Sequence, residues 1–221
     1  MDLLSEIRTG GILYVILLIA ITMHEFGHAF FADRLGDRLP RAEGRVSLNP
    51  AVHVDMLGTV VLPILTIALS MKSGFPMVFG WGKPVRVLLD NPKTRRRVDV
   101  VSTLGGVAMN LVVAFVSMLF LAVFEYFGLG DFSEVALYSI YINCVLFVIN
   151  MIPVPPLDGS VFLRYYAGMS EQVYFSLARW GILILLVLIN VPFTSRIIMG
   201  LVRLISAAYL FGANLILSAI S

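Results

Sequence analysis

The chain places two histidines and a glutamate at the end of a long apolar run. His24, Glu25 and His28 follow the stretch Gly11–Met23, which is almost uninterrupted in its hydrophobicity. On a helix, histidines four positions apart lie on the same face, where both imidazoles can bind one metal ion. Glu25 lies on the flank of that face, where a carboxylate can act as a general base. Because ionisable side chains are costly inside a bilayer, this pattern predicts a functional metal site at membrane depth.

Two histidines need a further partner, because a catalytic zinc takes three protein ligands and keeps one position open. His53 is one candidate, since it is the third and last histidine of the chain. Asp158 is the other, and it follows a break in which Pro153, Pro155 and Pro156 must end the preceding helix. Non-helical backbone at membrane depth is tolerated where it lines a polar cavity. An aspartate there also suits the N-cap of a following helix, so the residues alone leave ligation and capping open.

The composition is typical of a membrane protein. Of 221 residues, 59% are hydrophobic and 14% are charged, and the mean hydropathy is +0.92, whereas soluble domains average about 45–50% and 25%. We expect an all-α polytopic membrane protein that forms a single domain over residues 1–221, with a catalytic core over about 10–166 and a C-terminal helical hairpin over about 174–221. The net charge of +2 gives no indication of nucleic-acid binding.

Five to six segments are predicted to enter the membrane. Five are long enough, or nearly so, to cross about 30 Å of hydrocarbon as helices: about Gly11–Ala32, Val100–Phe127, Val135–Met151, Trp180–Pro192 with a flank from Tyr174, and Ile197–Ile220. The sixth, Leu57–Met71, has fifteen residues and contains Pro63. It either spans the membrane or forms a re-entrant hairpin whose return is Phe75–Trp81.

The positions of the basic residues favour the hairpin. If Leu57–Met71 re-enters, thirteen of the 16 Lys and Arg residues lie on one side of the membrane and three lie on the other. An excess of positive charge marks the cytosolic side. The metal site is then expected toward the cytosol, because an Arg-rich loop follows His28 within a few residues.

Four motifs are spread in order over the first 160 residues. They are His24-Glu25-Phe26-Gly27-His28, Ser47–Pro50 with His53–Asp55 and Gly58-Thr59, Phe79–Val85, and Asn150–Gly159. Together they resemble the site-2 protease family of intramembrane zinc metalloproteases, in a short form without a PDZ or CBS domain. The resemblance implies one Zn²⁺ held by His24, His28 and Asp158. It also implies catalytic roles for Glu25 as general base and for Asn150 near the substrate peptide.

One departure from the family pattern falls on the central helix. The family usually has Gly-Pro there, with an Asn three residues after the Pro, whereas this chain has Gly106-Val107 and keeps Asn110. Val107 changes the expected local helix geometry and leaves the metal-binding motifs untouched. Residues after about Tyr166 match no family motif.

The resemblance implies regulated intramembrane proteolysis, the hydrolysis of peptide bonds in or near transmembrane segments of a membrane-protein substrate, in a bacterial or archaeal cell membrane. A metal-ion transporter is an alternative, because it also needs intramembrane ionisable groups. It predicts further polar residues along the other spans, yet Leu111–Phe124 and Ile182–Ile189 are nearly free of them. An inactive scaffold predicts loss of Glu25 or a ligand, and none is lost. The substrate's identity and the oligomeric state stay open.

Several loop residues are weaker candidates for contact with the substrate. Pro40–Val46 and Val85–Leu89 are predicted as short cytosolic β-strands, bounded by turn residues. The edge Arg41–Ser47, with Arg45 and Val46, could hold an unwound substrate by β-augmentation or be an ordinary surface hairpin. Asn49 and His53 are placed near the entrance to the site. For Asn150, a helix–helix hydrogen bond within the membrane, shared with Asn143 one heptad earlier, is the alternative to a catalytic role.

Overall fold

A computed structural model describes residues 3–71, 78–88 and 92–220 as a predominantly helical protein. Eight α-helices lie in these ranges. Their bounds are α1 Leu3–Arg34, α2 Leu39–Ala42, α3 Leu62–Met71, α4 Pro92–Tyr126, α5 Gly130–Asn150, α6 Ser160–Tyr166, α7 Glu171–Asn190 and α8 Pro192–Ile220. A 3₁₀ turn, Pro50–Val52, and a π-helical turn, Met56–Val61, lie between α2 and α3.

Five of the helices, α1, α4, α5, α7 and α8, are long and apolar enough to cross a membrane. The chain is therefore an integral membrane protein, and the predicted all-α class is confirmed. Local signals explain several helix ends. α1 stops before Gly36, which adopts a left-handed φ of 104°. α7 starts after Ser170, whose Oγ accepts a hydrogen bond from the Val173 N–H.

The segment between α2 and α4 forms a hairpin rather than a crossing helix. Residues 78–83 run back alongside Met56–Met71. Three N–H groups of the returning stretch hydrogen-bond to the outgoing one: Phe79 to Thr66 Oγ1 at 3.2 Å, Trp81 to the Gly58 carbonyl at 3.0 Å, and Lys83 to the His53 carbonyl at 2.9 Å. The chain thus returns to the end at which it entered, as a re-entrant segment requires. The part of the predicted return over residues 75–77 lies outside the described residues.

The two predicted β-strands are wrong wherever the structure describes them. Pro40–Val46 overlaps the helix α2, in whose first turn Pro40 stands, where its missing N–H costs nothing. Val85–Leu88 belongs to no strand. Its Leu88 N–H is bonded to the buried side chain of Asp37 at 2.8 Å instead of to another strand. Leu89 lies outside the described residues.

The core of the protein lies where α1, α4 and α5 pack against one another. One buried cluster joins α4, α5 and α8 around Ile140 and Met118, and a second joins α1 to α5 around Leu17 and Ile142. α1 and α4 approach closely at their small residues: a Cβ on Gly27 would lie 2.5 Å from the Gly105 carbonyl oxygen. This close crossing brings the histidine face of α1 against α4.

Candidate metal centre and active site

His24, His28 and Asp158 converge on one point. The Nε2 atoms of the two histidines are 3.0 Å apart. Asp158 Oδ2 lies 3.2 Å from Nε2 of His24 and 3.3 Å from Nε2 of His28. Both histidines are buried. The i and i+4 spacing on α1 produces the histidine pair, and the chain after α5 brings the carboxylate to it.

The Pro-rich segment after α5 holds Asp158 in place. α5 ends at Asn150, whose carbonyl accepts a hydrogen bond from the Gly159 N–H at 2.6 Å and closes the segment into a loop. α6 then starts with Gly159 as its N-cap, without a side-chain capping bond. The Asp158 carboxylate therefore lies against the histidines and does not cap α6.

Hydrogen bonds on the far side of each ring orient the histidines. His28 Nδ1 lies 2.9 Å from the Ser102 carbonyl oxygen on α4, and His24 Nδ1 lies 2.8 Å from Asn110 Oδ1. A carbonyl can only accept, so His28 Nδ1 carries the proton and its Nε2 presents a lone pair. Metal-binding histidines are held in this way by an acceptor behind the ring.

The donor set fits a zinc ion. Two imidazole nitrogens and a carboxylate oxygen face one another, and Asp158 Oδ2 is buried without a hydrogen-bond partner among the described residues. Lone pairs that face one another at such distances in a buried place suit a cation between them. Two histidines with a carboxylate form one of the known ligand sets of catalytic zinc.

Gly106 makes room for His28 against α4. A Cβ at this position would lie 2.3 Å from His28 Nε2 and 2.4 Å from Cε1, far inside van der Waals contact. Any larger residue would displace the imidazole from the metal-binding point. Val107, the residue that departs from the family pattern, is buried and α4 continues through it.

Glu25 is buried beside the three ligands, and one of its carboxylate oxygens, Oε2, has no hydrogen-bond partner among the described residues. Arg45 Nη2 is 3.7 Å from that oxygen. The backbone of Gly82 passes so close that a Cβ there would lie 2.9 Å from Glu25 Oε1. Glu25 is therefore confined between α1 and the returning stretch of the hairpin.

A cavity of about 560 Å³ contains these groups. Its lining includes the three ligands and Glu25, and Asn150 joins them from the end of α5. The Asn150 side chain makes no hydrogen bond to the described residues and is half-buried. Asn143 makes the helix–helix hydrogen bond that was the alternative for Asn150, since it accepts from Asn110 on α4. Asn150 is thus free to contact a bound peptide.

Arg45 has a different position from the predicted one on a substrate edge. Its side chain is buried, and its guanidinium donates to the carbonyls of Val52 and Lys83. It thereby joins the loop after α2 to the returning stretch of the hairpin. Val46, next to it, is half-buried and does not line the cavity. Neither residue forms an exposed strand edge.

His53 and Asn49 also form hydrogen bonds within the loop after α2. The His53 ring is buried, and its Nε2 donates to the Ser47 carbonyl at 2.8 Å. Burial lowers its pKa, which favours the neutral form of the ring. His53 lies outside the lining of the cavity and outside the His24, His28 and Asp158 group, so it is not the third ligand. Asn49 is exposed and caps the 3₁₀ turn by accepting from the Ala51 N–H at 3.0 Å.

Sequence reasoning missed parts of the site on α4 and α7. Ser102 and Asn110 orient the histidines, and the signal for Asn110 was its amide inside an apolar span. α7 lines the cavity with Tyr174, Gly181 and Leu185, although this region matched no motif. A Cβ on Gly181 would lie 2.0 Å from the Pro155 carbonyl, so α7 packs directly on the loop that carries Asp158.

Known proteins resemble this chain over most of its length. "Putative zinc metalloprotease YwhC" of Bacillus subtilis is 29% identical over 194 residues, which are 84% of this chain and 83% of that protein. "Putative zinc metalloprotease Rip2" of Mycolicibacterium smegmatis is 31% identical over 199 residues, 88% of this chain and 74% of its own. Rip2 of Mycobacterium tuberculosis H37Rv is 32% identical over 180 residues, 79% and 65% of the two chains.

No family model and no solved structure matches the chain. The family assignment rests on these relatives. The Rip2 protein of Mycolicibacterium smegmatis is more than 30% identical to the chain, and the match covers about three quarters of that protein. Their names agree with the metal-binding geometry at His24, His28 and Asp158. The chain is a metalloprotease that belongs to the family of these proteins, which its motifs at His24–His28 and Asn150–Gly159 identify as the site-2 protease family.

Proposed function

We propose that the protein is an intramembrane zinc endopeptidase that cleaves membrane-protein substrates in or near their transmembrane segments. The convergence of His24, His28 and Asp158 beside Glu25, within a cavity between apolar helices, carries this proposal. Zinc, when bound, supplies a Lewis acid that activates water and polarises the scissile carbonyl. One ion satisfies the three ligands.

Residues of the chain itself transfer the proton and bind the substrate. Glu25 accepts a proton from the attacking water and passes it to the leaving amine. Its unpaired Oε2 suits a group that must receive a proton. Asn150 donates a hydrogen bond from its amide to the substrate backbone or to the oxygen on which negative charge develops. Removal of one such donor in other proteases costs about 3–4 kcal/mol.

A substrate helix must unwind before cleavage, because its carbonyls are engaged in hydrogen bonds between residues four apart along the helix. The stretch 79–83 offers an edge for the unwound chain. Phe79, Trp81 and Lys83 use their N–H groups on the hairpin. In extended backbone, neighbouring residues point their N–H and C=O groups to opposite sides. Gly80 and Gly82 therefore turn their unused groups toward the other side, and both residues line the cavity.

This edge replaces the predicted one at Arg41–Ser47. An extended substrate segment paired along 80–82 would run directly past Glu25, because Gly82 and Glu25 are in contact. Main-chain pairing selects few side chains, which suits an enzyme whose substrates are apolar spans. The substrate class that fits is a single-span membrane protein cut during regulated intramembrane proteolysis.

The active site is proposed to face the cytosol of a bacterial or archaeal cell. With a re-entrant hairpin, thirteen of the 16 basic residues fall on the same side of the membrane as the loops around the site. An excess of basic residues marks the cytosolic side. Labelling of cysteines introduced at Gly36 and Gly128 measures this directly. Gly36 follows α1 at the site end, and Gly128 lies in the turn between α4 and α5. Labelling of Gly36 from the outside contradicts the orientation.

The decisive experiment compares the wild type with Glu25→Gln in liposomes that contain a panel of single-span membrane-protein fragments, with zinc content measured in both. We expect equal zinc and loss of cleavage in the variant. Glu125→Gln is the matched control, because Glu125 is exposed near the far end of α4. Equal cleavage by wild type and Glu25→Gln contradicts the proposal. Zinc flux into the liposomes that survives in Glu25→Gln indicates a transporter.

A further inference from the structure

We infer that Asn110 and Asn143 form a relay that positions His24, by holding its imidazole in the tautomer whose Nε2 is free for the metal. The inference rests on the proposed zinc site and concerns residues outside its ligand set. A neutral imidazole has two tautomers, and the hydrogen bond at one nitrogen decides which is present. The contact between His24 Nδ1 and Asn110 Oδ1 measures 2.8 Å.

That contact alone cannot set the tautomer. A side-chain amide offers an oxygen that accepts and a nitrogen that donates, and the two ends can exchange by a flip. If Asn110 turned its nitrogen to His24, the Nδ1 would have to accept and the proton would move to Nε2. The metal-facing nitrogen of His24 would then carry a hydrogen. Something must therefore fix the orientation of the Asn110 amide.

The Ser139 backbone carbonyl fixes it through Asn143. A carbonyl oxygen only accepts, so the Asn143 Nδ2 that lies 2.9 Å away donates to it. Asn143 Oδ1 must then face Asn110, where it accepts from Asn110 Nδ2 at 3.1 Å. Asn110 Oδ1 is left to accept from His24. The Ala20 carbonyl, 3.4 Å from Asn110 Nδ2, selects the same orientation.

Burial makes the relay rigid. Asn110 and Asn143 are both 0% exposed. No water can replace a lost partner there, and a flipped amide would bring two acceptors together at one end and two donors together at the other. An unsatisfied buried polar group costs about 1–3 kcal/mol. His28 needs no such relay, because its Nδ1 donates directly to the Ser102 carbonyl at 2.9 Å. The two metal-binding histidines are thus held by different means.

The test measures the zinc affinity of the purified full chain in detergent, by competition with a chromophoric chelator. Asn110→Leu removes the acceptor, and we expect zinc affinity to fall about 10–100-fold. Asn110→Asp keeps an acceptor for His24 Nδ1, and we expect affinity at or above that of the wild type. Asn143→Leu leaves Asn110 in place but removes its partner, and we expect an intermediate loss.

Ser117→Ala is the matched control. The Ser117 hydroxyl donates to Ser139 Oγ at 2.7 Å, so this variant also loses a buried hydrogen bond between α4 and α5 but leaves the relay intact. We expect its zinc affinity to equal that of the wild type. A role in helix packing alone predicts the opposite order, since a buried charge makes Asn110→Asp the worst of the variants.

The outcomes separate the relay from the proposed function. Wild-type zinc affinity in Asn110→Leu overturns the relay and leaves the proposed function standing. Zinc affinity of Asn110→Asp equal to or below that of Asn110→Leu assigns Asn110 to packing and also overturns the relay. If Asn110→Leu does not fold, Asn143→Leu decides, because affinity equal to that of Ser117→Ala overturns the inference. A wild type that binds no zinc overturns the proposed function itself, and the relay with it.

Discussion

The helices that carry the site and the helices at the C-terminus obey different packing rules. In the apolar stretches of α1, α4 and α5, 33% to 39% of the residues are buried, against 11% in α7 and α8. The first group meets through glycines and buried amides, and the second presents large side chains such as Leu204, 69% exposed, to the surroundings. Within a bilayer, small and polar residues mark protein contacts, while bulky apolar ones suit lipid. The same substitution should therefore have very different effects in the two regions.

The largest contrast is expected between two glycines. Gly106→Ala places a methyl group 2.3 Å from His28 Nε2, so the ring must leave its position. A displacement of about 1 Å in an active site can cost about 100-fold in activity, and we expect at least that loss, together with weaker zinc binding. Gly200→Ala on α8 meets nothing within 4 Å and should match the wild type. Equal activity of the two variants would refute the close approach of α4 to His28.

Removal of zinc should affect the helices that carry the site and the C-terminal helices differently. Zinc at 1,000 times its dissociation constant stabilises a folded state by about 4 kcal/mol. That stabilisation acts where the ligands meet, on α1 and on the loop with Asp158. After treatment with a chelator, we expect faster amide hydrogen exchange at residues 157–161 and unchanged exchange in α8. Uniform acceleration over both regions would mean that the metal supports the whole fold rather than the site.

The sequence predicted the metal-binding residues better than the residues that hold them in position. The helical repeat predicted that His24 and His28 share a face. The prolines around Asp158 indicated a broken helix that lines a polar cavity. The choice of Asp158 over a helix cap needed the family resemblance, because spacing along the chain says nothing about a contact across about 130 residues. The partners of the histidines on α4 lay beyond prediction for the same reason: Ser102 acts through its backbone carbonyl, which any residue possesses.

The prediction of two strands was wrong for a local reason. Short segments bounded by turn signals predict strands, and Val85–Leu88 lies between such signals. A strand needs a neighbour as well, and here the Leu88 N–H donates to the side chain of Asp37 instead. Arg45 was placed on an exposed edge because the stretch Arg41–Ser47 comes just after the helix that carries His24 and His28. Its burial depends on carbonyls from two loops, which only the folded chain brings together.

An intermediate effect is expected from Arg45→Lys. Lysine keeps the charge but cannot donate to the Val52 and Lys83 carbonyls at once, as the guanidinium does. Hydrogen bonds to charged groups contribute about 1.5–3 kcal/mol each. We expect a lower melting temperature and about tenfold slower cleavage with zinc content unchanged, because Arg45 supports the hairpin and not the ligands. Arg41→Lys, which alters an exposed pair with Asp33, is the control and should leave both quantities unchanged. Loss of zinc in Arg45→Lys would contradict this division.

The smallest effect is expected where the steric overlap is greatest. A Cβ on Gly181 would lie 2.0 Å from the Pro155 carbonyl, closer than the contact at Gly106. α7 is nevertheless held by few buried residues, Gly181 and Leu185 among them, so the helix can move outward as a body. His28 has no such freedom, because it is enclosed between α1 and α4. We expect Gly181→Ala to bind zinc like the wild type and to cleave within about threefold of its rate, as substitutions in loosely packed regions do. If Gly181→Ala loses zinc as Gly106→Ala does, α7 belongs to the rigid core, and the division between the two regions is wrong.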